Sequence, residues 1–306
     1  MISNLNINAV FSKVMPKHIV VSVQDNSKGQ VNKIYFVKLA EKYTGAIEEF
    51  VLRIYPKDGW KAEKEKYLFD LVRQKTDVPV PEMIVSFTGK NILGYPYSIL
   101  KKIDGNELGT RITNRSVTES GTMLAKIHSI KFDRFGWIVG QEIKPKFEKW
   151  ADFLEFDLKH KIKKAGKSLP KKTFDDIRKY FDDHKALLDD VVMPSLLHKD
   201  YSYAHIICDK NINGIIDWEW AISGHNEFDL VKSILWMFEN DKKLENLFLR
   251  GYKKEAVLSN DFEKRRKLYE MLIYFNSFVF SRECSSGKWC RYNLSKLKRL
   301  LYGKSC

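Results

Sequence analysis

The sequence predicts an α+β fold in two lobes, an N-terminal antiparallel sheet with one helix and a larger, mainly helical C-terminal lobe. The first hundred residues alternate short runs of β-branched and aromatic residues with turns of Gly, Asn, Asp and Pro, the pattern of an antiparallel sheet. From residue 104 onward most apolar residues recur at helical spacing, apart from strand-like runs between residues 196 and 217. The lobes are therefore predicted at residues 1–103 and 104–306.

Three strands and a helix are predicted in order in the N-terminal lobe. The runs HIVVSVQ, KIYFVKLA and EFVLRIYP each predict one strand, because each is rich in β-branched or aromatic residues and is flanked by turn residues. In the segment KAEKEKYLFDLVR, Glu65, Leu68, Phe69 and Val72 share one helical face, so this helix is expected to pack on the sheet. Two prolines in VPVPEMIVSF then end the helix, and GKNILGYPYSILKKI predicts a hairpin.

The C-terminal lobe is predicted to be helical around a short return to strands. The segments SVTESGTMLAKIHSI and KFEKWADFLEFDLKHKI have the periodicity of amphipathic helices. The runs LLHKD, HIICD and GIIDW then predict short strands joined by turns. Beyond them FDLVKSILWMFEND and DFEKRRKLYEMLIYFNSFVFSRE return to helical periodicity.

The charge distribution places an acidic stretch on a basic protein. The net charge is +14, from 53 Lys and Arg against 39 Asp and Glu, and the excess is spread along the chain. Residues 199–241 reverse the sign, with eight carboxylates against Lys199, Lys210 and Lys232, which favours a cation bound there. No apolar run approaches a membrane span and no secretory signal is visible, so a cytoplasmic protein without membrane or nucleic-acid partners is expected.

The residues His198, Asp200, His205 and Asp217 form a spaced constellation of polar groups between short apolar runs. Phosphoryl transfer needs a carboxylate that accepts the proton of the attacking hydroxyl, and ligands for the Mg²⁺ that neutralises phosphate charge. Asp200 suits the first role, as the catalytic base. Asp217 and His205 suit the second, although Mg²⁺ prefers oxygen ligands to nitrogen.

These motifs resemble those of the aminoglycoside phosphotransferase group, antibiotic kinases with a protein-kinase-like fold. HKDYSYAH and GIIDWEWA are similar to the group's H-x-D-x-x-x-x-N and I-D-W segments. Six further segments resemble segments of the group and follow one another in the same order along the chain, namely SKGQVNKIYFV, FVLRIYP, VPVP, YSILKKIDG, LAKIHSI and HNEFDL. The resemblance implies a two-lobed kinase fold, with His205 at the usual Asn position.

The resemblance also implies how the nucleotide is bound. Gly29 lies in the segment similar to the glycine loop over the nucleotide, and Arg53 corresponds to the basic residue that contacts its phosphates and pairs with Glu65. Arginine stands there in place of the usual lysine. The backbone of Lys101 and Ile103 corresponds to the hinge that receives the adenine edge.

The substrate is predicted to be a small cationic molecule. Candidates for binding its ammonium groups are carboxylates in or after the acidic stretch, namely Glu219, Glu239, Asp241 and Glu283. The leading hypothesis is an antibiotic kinase that transfers the γ-phosphate of ATP or GTP, with Mg²⁺, to a hydroxyl of an aminoglycoside-type antibiotic and so confers resistance. A monomer is expected, as is common in the group.

Two alternatives remain open from the sequence. The same fold could serve a metabolic kinase that acts on choline, a sugar amine or homoserine, since a fold does not decide the substrate. The chain could also be a non-catalytic module that binds nucleic acid through its basic surface, in which case binding would depend on salt and not on Mg²⁺.

Overall fold

The computed structural model describes residues 3–26, 32–89 and 92–303 of the chain. Contacts divide the chain into two compact units. The first unit contains the chain up to Ile112 with residues 138–142 and 203–219, and the second contains residues 113–137, 143–202 and the chain from Trp220 onward. The first unit thus takes in segments that lie beyond the boundary predicted after residue 103.

The elements of the described residues have the following bounds. The strands are β1 (His18–Asp25), β2 (Lys33–Glu41), β3 (Ile47–Ile54), β4 (Met83–Phe87), β5 (Tyr97–Lys101), β6 (Asn106–Glu107), β7 (Gly136–Val139), β8 (Glu142–Ile143), β9 (Ser195–Leu197), β10 (Ile206–Cys208), β11 (Ile212–Ile215) and β12 (Ile222–Gly224). The α-helices are α1 (Asn4–Val14), α2 (Trp60–Lys75), α3 (Asn114–His128), α4 (Trp150–Ala165), α5 (Lys171–His184), α6 (Asn226–Phe238), α7 (Lys242–Tyr252), α8 (Phe262–Glu283) and α9 (Gly287–Tyr302). Short 3-10 helices cover Leu108–Thr110, Lys185–Leu188 and Tyr203–His205.

An antiparallel sheet forms the body of the first unit, with strands in the order β1-β2-β3-β5-β4. Alternate residues of β2 and β3 face the core, and Val37, Leu39 and Leu52 are fully buried there. Helix α1, which the sequence did not predict, adds Val10 and Phe11 to the same apolar cluster. The core of this unit therefore lies between α1 and one face of the sheet.

Helix α2 buries the face that its periodicity predicted. Leu68, Phe69 and Val72 are buried along it, and Glu65 lies on the same face with none of its surface exposed. An ionised carboxylate at such a position is costly unless it is paired. The burial of Glu65 therefore requires a cationic or hydrogen-bonding partner beneath the helix.

A second, small sheet of the first unit has the order β11-β10-β6. Its close packing depends on Gly105, whose φ is +120° and whose added Cβ would lie 2.6 Å from the carbonyl oxygen of Cys208. The side-chain amide of Asn213 donates to the carbonyl of Asp104 at 2.8 Å. These contacts hold the hairpin of β10 and β11 against the segment that follows β5.

The second unit contains strand β12, paired on one side with β7 and on the other with β9. Within these pairs Ile222 is opposite both Trp137 and Leu197. Strand β9 is completely buried and leads directly into His198 and Asp200. A buried strand fixed on one side by β12 thus sets where the loop after it begins.

Helices α3 and α7 cross at unusually short range because each contributes a glycine to the contact. A Cβ added to Gly121 would lie 2.0 Å from the carbonyl oxygen of Phe248, and one added to Gly251 would lie 1.8 Å from that of Thr118. Only glycine permits this backbone approach. The crossing places the end of α3, with His128, beside Tyr252 at the end of α7.

Aromatic side chains join α4, α6 and α8 in the core of the second unit. Trp150 of α4 is fully buried, and its ring centre lies 5.9 Å from that of Phe228 in α6. The indole N–H of Trp150 donates to the hydroxyl of Tyr269 in α8 at 3.2 Å. The polar end of the indole is therefore satisfied within the core.

The predicted α+β class is confirmed, with antiparallel sheets in the N-terminal region and a mainly helical C-terminal part. Among the described helices, none combines the length and the apolar character that a membrane span would need.

Candidate active site

The loop of residues 198–200, here called the Asp200 loop, follows β9 in the second unit. His198 is fully buried, and its Nδ1 lies 3.2 Å from the backbone nitrogen of Asp200, which donates to it. Asp229, in the first turn of α6, accepts hydrogen bonds from the backbone N–H groups of His198 at 2.7 Å and Lys199 at 2.9 Å. One buried carboxylate thus fixes the backbone that presents Asp200.

Asp229 is itself held by buried polar groups. His128 Nε2 lies 3.3 Å from its carboxylate, and His128 Nδ1 lies 2.8 Å from the hydroxyl of Tyr252. Burial alone would raise the pKa of Asp229, but the hydrogen bond from His128, the nearby imidazoles and the Lys199 N–H hold that pKa below its usual range. Asp229 is therefore an anion that accepts several hydrogen bonds, as a loop anchor must be.

Lys199 stands in the loop with a left-handed backbone, at φ +65°, a region that favours glycine or asparagine. Burial lowers the pKa of its side chain to about 8, the charges of Lys161 and Lys232 act in the same direction, and Asp157 opposes them. The ammonium of Lys232 lies 3.5 Å from Asp200 Oδ1. The catalytic carboxylate predicted from the sequence therefore lies in a cationic environment.

Arg53 is the centre of the polar cluster in the first unit. Its guanidinium contacts Glu65 of α2 at 3.0 Å, Asp217 at 2.8 Å and Glu219 at 3.3 Å. Tyr55, two residues further along the chain, donates a hydrogen bond to the other oxygen of Glu65 at 2.6 Å. These contacts supply the partners that the burial of Glu65 requires.

Asp217 and His205 follow β11 and precede β10 respectively, and their side chains meet. His205 Nε2 lies 3.5 Å from Asp217 Oδ2, while Asp217 Oδ1 faces Arg53. Asp217 has φ +66°, and the next backbone N–H, of Trp218, donates to Glu65 at 3.1 Å. This turn aims the Asp217 carboxylate at the guanidinium on one side and the imidazole on the other.

Burial and charge act in opposite directions on this cluster. Burial would lower the pKa of Arg53, but the carboxylates of Asp217 and Glu65 outweigh it and raise that pKa well above the ordinary value. The pKa of Glu65 is raised, because burial and the charge of Asp217 outweigh the effect of Arg53. Arg53 is thus a permanent cation among acidic side chains.

The predicted hinge begins at Lys101, the last residue of β5, in the first unit. The backbone N–H of Lys101 donates to the carbonyl of Glu82 at 2.9 Å. Within the described residues the backbone groups of Ile103 make no hydrogen bond with the chain. The side chain of Ile103 packs against Gly214, where an added Cβ would lie 2.2 Å from Ile103 Cδ1. Gly29 lies outside the described residues.

The four carboxylates predicted to bind ammonium groups all contact groups of the chain itself. Glu219 is buried and accepts from Asn32 at 2.8 Å, besides its contact with Arg53. Glu239 accepts from the hydroxyls of Tyr274 and Tyr292 and lies 2.8 Å from Lys296. Asp241 caps α7 by accepting from the N–H of Leu244 at 3.0 Å, and Glu283 lies 2.6 Å from Lys164.

The structure therefore groups the predicted residues in two sets. Arg53, Glu65, His205, Asp217 and Glu219 lie together in the first unit. Asp200, Glu239, Asp241 and Glu283 belong to the second unit, where Glu239, Asp241 and Glu283 each bind groups other than those of the Asp200 loop.

Sequence reasoning did not assign Lys61, Lys64 or Lys232 to a site. Lys61 lies 3.5 Å from the carboxylate of Glu219, and Lys64 donates to the carbonyl of Glu219 at 2.8 Å. Both lysines are buried in the first turns of α2. The only sequence signal was their spacing of three residues, which places them on one side of the helix.

A magnesium ion would have to be held by side chains of the site described above. Among the described residues no group of three or more His, Cys, Asp and Glu side chains converges as a metal cluster. Magnesium is commonly held by one or two carboxylates plus phosphate oxygens and waters. Asp217, whose Oδ2 is turned away from Arg53 and towards His205, fits a site of that kind.

The chain is similar in sequence to one family of enzymes. The family model described as "Phosphotransferase enzyme family" matches residues 22–268. The search of curated proteins found no match.

Several solved structures share the fold. A thermostable mutant of aminoglycoside phosphotransferase APH(4)-Ia, in a ternary complex with AMP-PNP and hygromycin B, is 15% identical with a TM-score of 0.73, over 97% of this chain and 97% of that one. The gentamicin complex of APH(2″)-IIa is 15% identical with a TM-score of 0.69, over 99% and 97%. The apoenzyme of macrolide 2′-phosphotransferase MphH from Brachybacterium faecium is 12% identical with a TM-score of 0.67, over 95% and 97%. At these identities the likeness shows the fold.

Proposed function

Because the chain belongs to the phosphotransferase enzyme family, we propose that it transfers the γ-phosphoryl group of ATP or GTP to a hydroxyl group of a small molecule. The observation that carries this proposal is the Asp200 loop, in which a buried anion, Asp229, holds the backbone N–H groups of the two residues that precede a partly exposed carboxylate. A carboxylate presented in this way can accept the proton of an attacking hydroxyl. The non-catalytic nucleic-acid-binding alternative is set aside, since the family is one of enzymes.

Asp200 is proposed as the catalytic base. The acceptor oxygen forms a bond to the γ-phosphorus, the bond from that phosphorus to the bridging oxygen breaks, and nucleoside diphosphate leaves. The hydroxyl proton passes to the Asp200 carboxylate. Because such transfer depends mainly on positioning and electrostatic stabilisation, the hydrogen bonds that fix the Asp200 loop are central to this role.

The first unit is proposed to bind the nucleotide. Arg53, fixed by Glu65 at 3.0 Å, would contact the phosphates through a guanidinium that stays charged at any working pH. The backbone groups of Ile103, which make no hydrogen bond with the part of the chain that the structure describes, could bind the adenine edge, next to Lys101. Gly29 would contribute a glycine loop.

Asp217, with His205 beside it, would hold Mg²⁺ when the nucleotide is bound. The ion would neutralise charge that develops on the phosphates. Asp217 keeps one oxygen on Arg53, so the arginine would orient the carboxylate for this role.

The acceptor is proposed to be an aminoglycoside-type antibiotic, so that the enzyme would confer resistance in the cytoplasm as a monomer. Support comes from the similar fold of APH(4)-Ia in complex with hygromycin B and of APH(2″)-IIa in complex with gentamicin. The carboxylates Glu219, Glu239, Asp241 and Glu283 would have to exchange their present partners for the ammonium groups of such a substrate.

A second candidate acceptor carries less positive charge. All four predicted ammonium-binding carboxylates already contact donors or cations of this chain. This observation favours a macrolide, as for the similar enzyme MphH, or a metabolic alcohol of the choline, sugar-amine or homoserine type. The chemistry at Asp200 would be the same.

The test is release of nucleoside diphosphate by the purified protein with Mg-ATP or Mg-GTP and a panel of aminoglycosides, macrolides and metabolic alcohols. We expect turnover with one class, and loss of about 10³-fold or more in kcat in Asp200→Asn, since the base is removed without a change of shape. Asp209→Asn, an exposed turn residue, is the matched control. If no member of the panel is phosphorylated, the proposal is overturned. Antibiotic resistance of a host that expresses the protein would distinguish an antibiotic acceptor from a metabolic one.

A further inference from the structure

The side chain of Lys232 reaches the Asp200 loop from helix α6. Its ammonium donates a hydrogen bond to the backbone carbonyl of Lys199, lies 3.5 Å from Asp200 Oδ1 and lies 5.2 Å from the centre of the Trp236 ring. Lys232 follows Asp229 by three residues, so both side chains leave the same face of α6. The helix therefore contacts the loop through one carboxylate and one ammonium.

Both backbone groups of Lys199 are bound by this helix. The N–H of Lys199 donates to Asp229, and its carbonyl accepts from Lys232. The left-handed φ of Lys199, +65°, sets the directions of these two groups. Lys232 thus fixes the peptide group that joins Lys199 to Asp200.

The contacts of the Lys232 ammonium leave it able to bind a further ligand. An ammonium has three donors, and charged hydrogen bonds are normally about 2.7–2.9 Å long, whereas the contact with Asp200 is 3.5 Å. The side chains of Lys232 and Asp200 are 19% and 23% exposed. A ligand at Asp200 could therefore also reach the ammonium.

The reaction itself places a phosphoryl group within reach. A hydroxyl that gives its proton to Asp200 must lie about 3 Å from the carboxylate, and its phosphorus about 3–3.5 Å beyond that oxygen. The transferring group therefore lies roughly 6 Å from Asp200, and the long flexible stem of Lys232 can carry its charge to one of the phosphoryl oxygens.

We propose that Lys232 positions Asp200 and also binds an oxygen of the transferring phosphoryl group, an inference that rests on the phosphotransferase function proposed above. As the bond between the γ-phosphorus and the bridging oxygen breaks, negative charge is spread over the phosphoryl oxygens and the leaving diphosphate. The proton of the acceptor goes to Asp200 and not to Lys232. The lysine stays an ammonium throughout and acts by charge and by its hydrogen bonds.

Three substitutions separate these roles. Lys232→Gln keeps a neutral donor for the carbonyl of Lys199 but removes the charge, Lys232→Met removes both, and Lys232→Arg keeps the charge. Lys243→Met is the matched control, because Lys243 is an exposed lysine on the neighbouring helix α7. Each full-length variant is assayed with the acceptor that the wild-type chain phosphorylates, and its melting temperature is measured.

We expect Lys232→Gln to lower kcat by about 10²-fold, as for the loss of one preorganised transition-state contact, with KM for nucleotide and acceptor changed less than threefold. Lys232→Arg should recover at least a tenth of the wild-type kcat, and Lys243→Met should match the wild type. Equal loss in the Arg and Gln variants, or an effect on KM alone, would overturn the inference while the proposed function stands. If Lys232→Met fails to fold, the Gln and Arg variants still decide the question. A wild-type chain that phosphorylates no acceptor would overturn the proposed function and this inference together.

Discussion

The carboxylate of Asp229 accepts a hydrogen bond from the backbone N–H of His198 at 2.7 Å. A second oxygen of the same carboxylate accepts from the N–H of Lys199 at 2.9 Å, and the residue is fully buried. Two consecutive peptides are therefore fixed by one anion from another part of the chain. This anion therefore fixes the backbone that leads into Asp200.

Asp229→Asn should therefore damage stability and activity together. The amide keeps one acceptor oxygen, but its NH₂ group faces a backbone N–H that it cannot bind. We expect a loss of about 2–3 kcal/mol in the free energy of unfolding, since a buried donor is left unsatisfied, and a fall in kcat. Urea denaturation of the variant against Asp209→Asn measures the first effect. A variant as stable as that control would contradict the anchoring role.

Arg53 balances buried carboxylates of the first unit, so its replacement by an apolar residue should be costly. Arg53→Met leaves Glu65 and Glu219 buried without their guanidinium partner, and removal of one partner of a buried pair commonly costs about 3–5 kcal/mol. The free energy of unfolding should fall by that amount, whereas exposed Arg178→Met should change it little.

A second substitution tests the reason for that loss. Adding Glu65→Gln to Arg53→Met removes one of the unpaired buried charges, so part of the lost stability should return. If the double variant is less stable than Arg53→Met by the full cost of Glu65→Gln alone, the two residues do not interact as their 3.0 Å contact indicates.

The sequence predicted features that arise from local pattern. The buried face of α2, including Leu68 and Phe69, followed from helical spacing alone. The sequence assigned His205 and Asp217 to one predicted metal site, and the structure places His205 Nε2 3.5 Å from Asp217 Oδ2. In both cases the residues that decide the outcome are close in sequence.

Contacts that join distant parts of the chain were beyond sequence reasoning. Glu219 lies two residues after Asp217 and looked available to a cationic substrate, yet its carboxylate is taken up by Arg53 and Asn32. The sequence also did not indicate that the ammonium of Lys232 lies 3.5 Å from Asp200 Oδ1. Helix spacing gives the face on which a side chain lies, but not what packs against that face.

Lys199 combines two unfavourable features that glycine would remove. A left-handed backbone costs about 1 kcal/mol for a residue with a Cβ, and burial opposes the charge of this lysine, lowering its pKa to about 8. Lys199→Gly should therefore raise the free energy of unfolding at pH 7. Lys199→Ala removes the amine but keeps the Cβ, so it should be less stable than the Gly variant by about 1 kcal/mol.

The stabilising effect of Lys199→Gly should decrease as the pH rises. The folded pKa of Lys199 lies below the usual lysine value of 10.5, so between about pH 8 and 10.5 the unfolded chain keeps a proton that the folded chain has lost. Stability of the wild type then rises with pH, and the advantage of Lys199→Gly should narrow over that range. Thermal unfolding at pH 7 and pH 9.5 measures the difference in stability between the wild type and Lys199→Gly; a difference that grows with pH would contradict a lowered pKa of Lys199.

His225, which precedes α6, should make the folded state sensitive to acid. Burial, together with the charges of Arg265, His128 and Lys131, lowers the pKa of His225 to about 3, and its Nδ1 lies 2.7 Å from the hydroxyl of Tyr269. Because the unfolded chain takes up this proton near the usual histidine value of 6.5, stability is fully present above that pH and falls as the pH drops towards 3.

His225→Asn should flatten this dependence. The substitution removes the titrating group and leaves a good helix-capping residue before α6, so between pH 6 and 4 the stability should fall less steeply than in the wild type, by up to about 1.4 kcal/mol per pH unit. The control is His160→Asn, which replaces a histidine at an exposed site. Parallel curves for the wild type and His225→Asn would show that His225 is protonated in the fold. The polar contact with Tyr269 would then have to hold a cation next to Arg265, which burial makes costly.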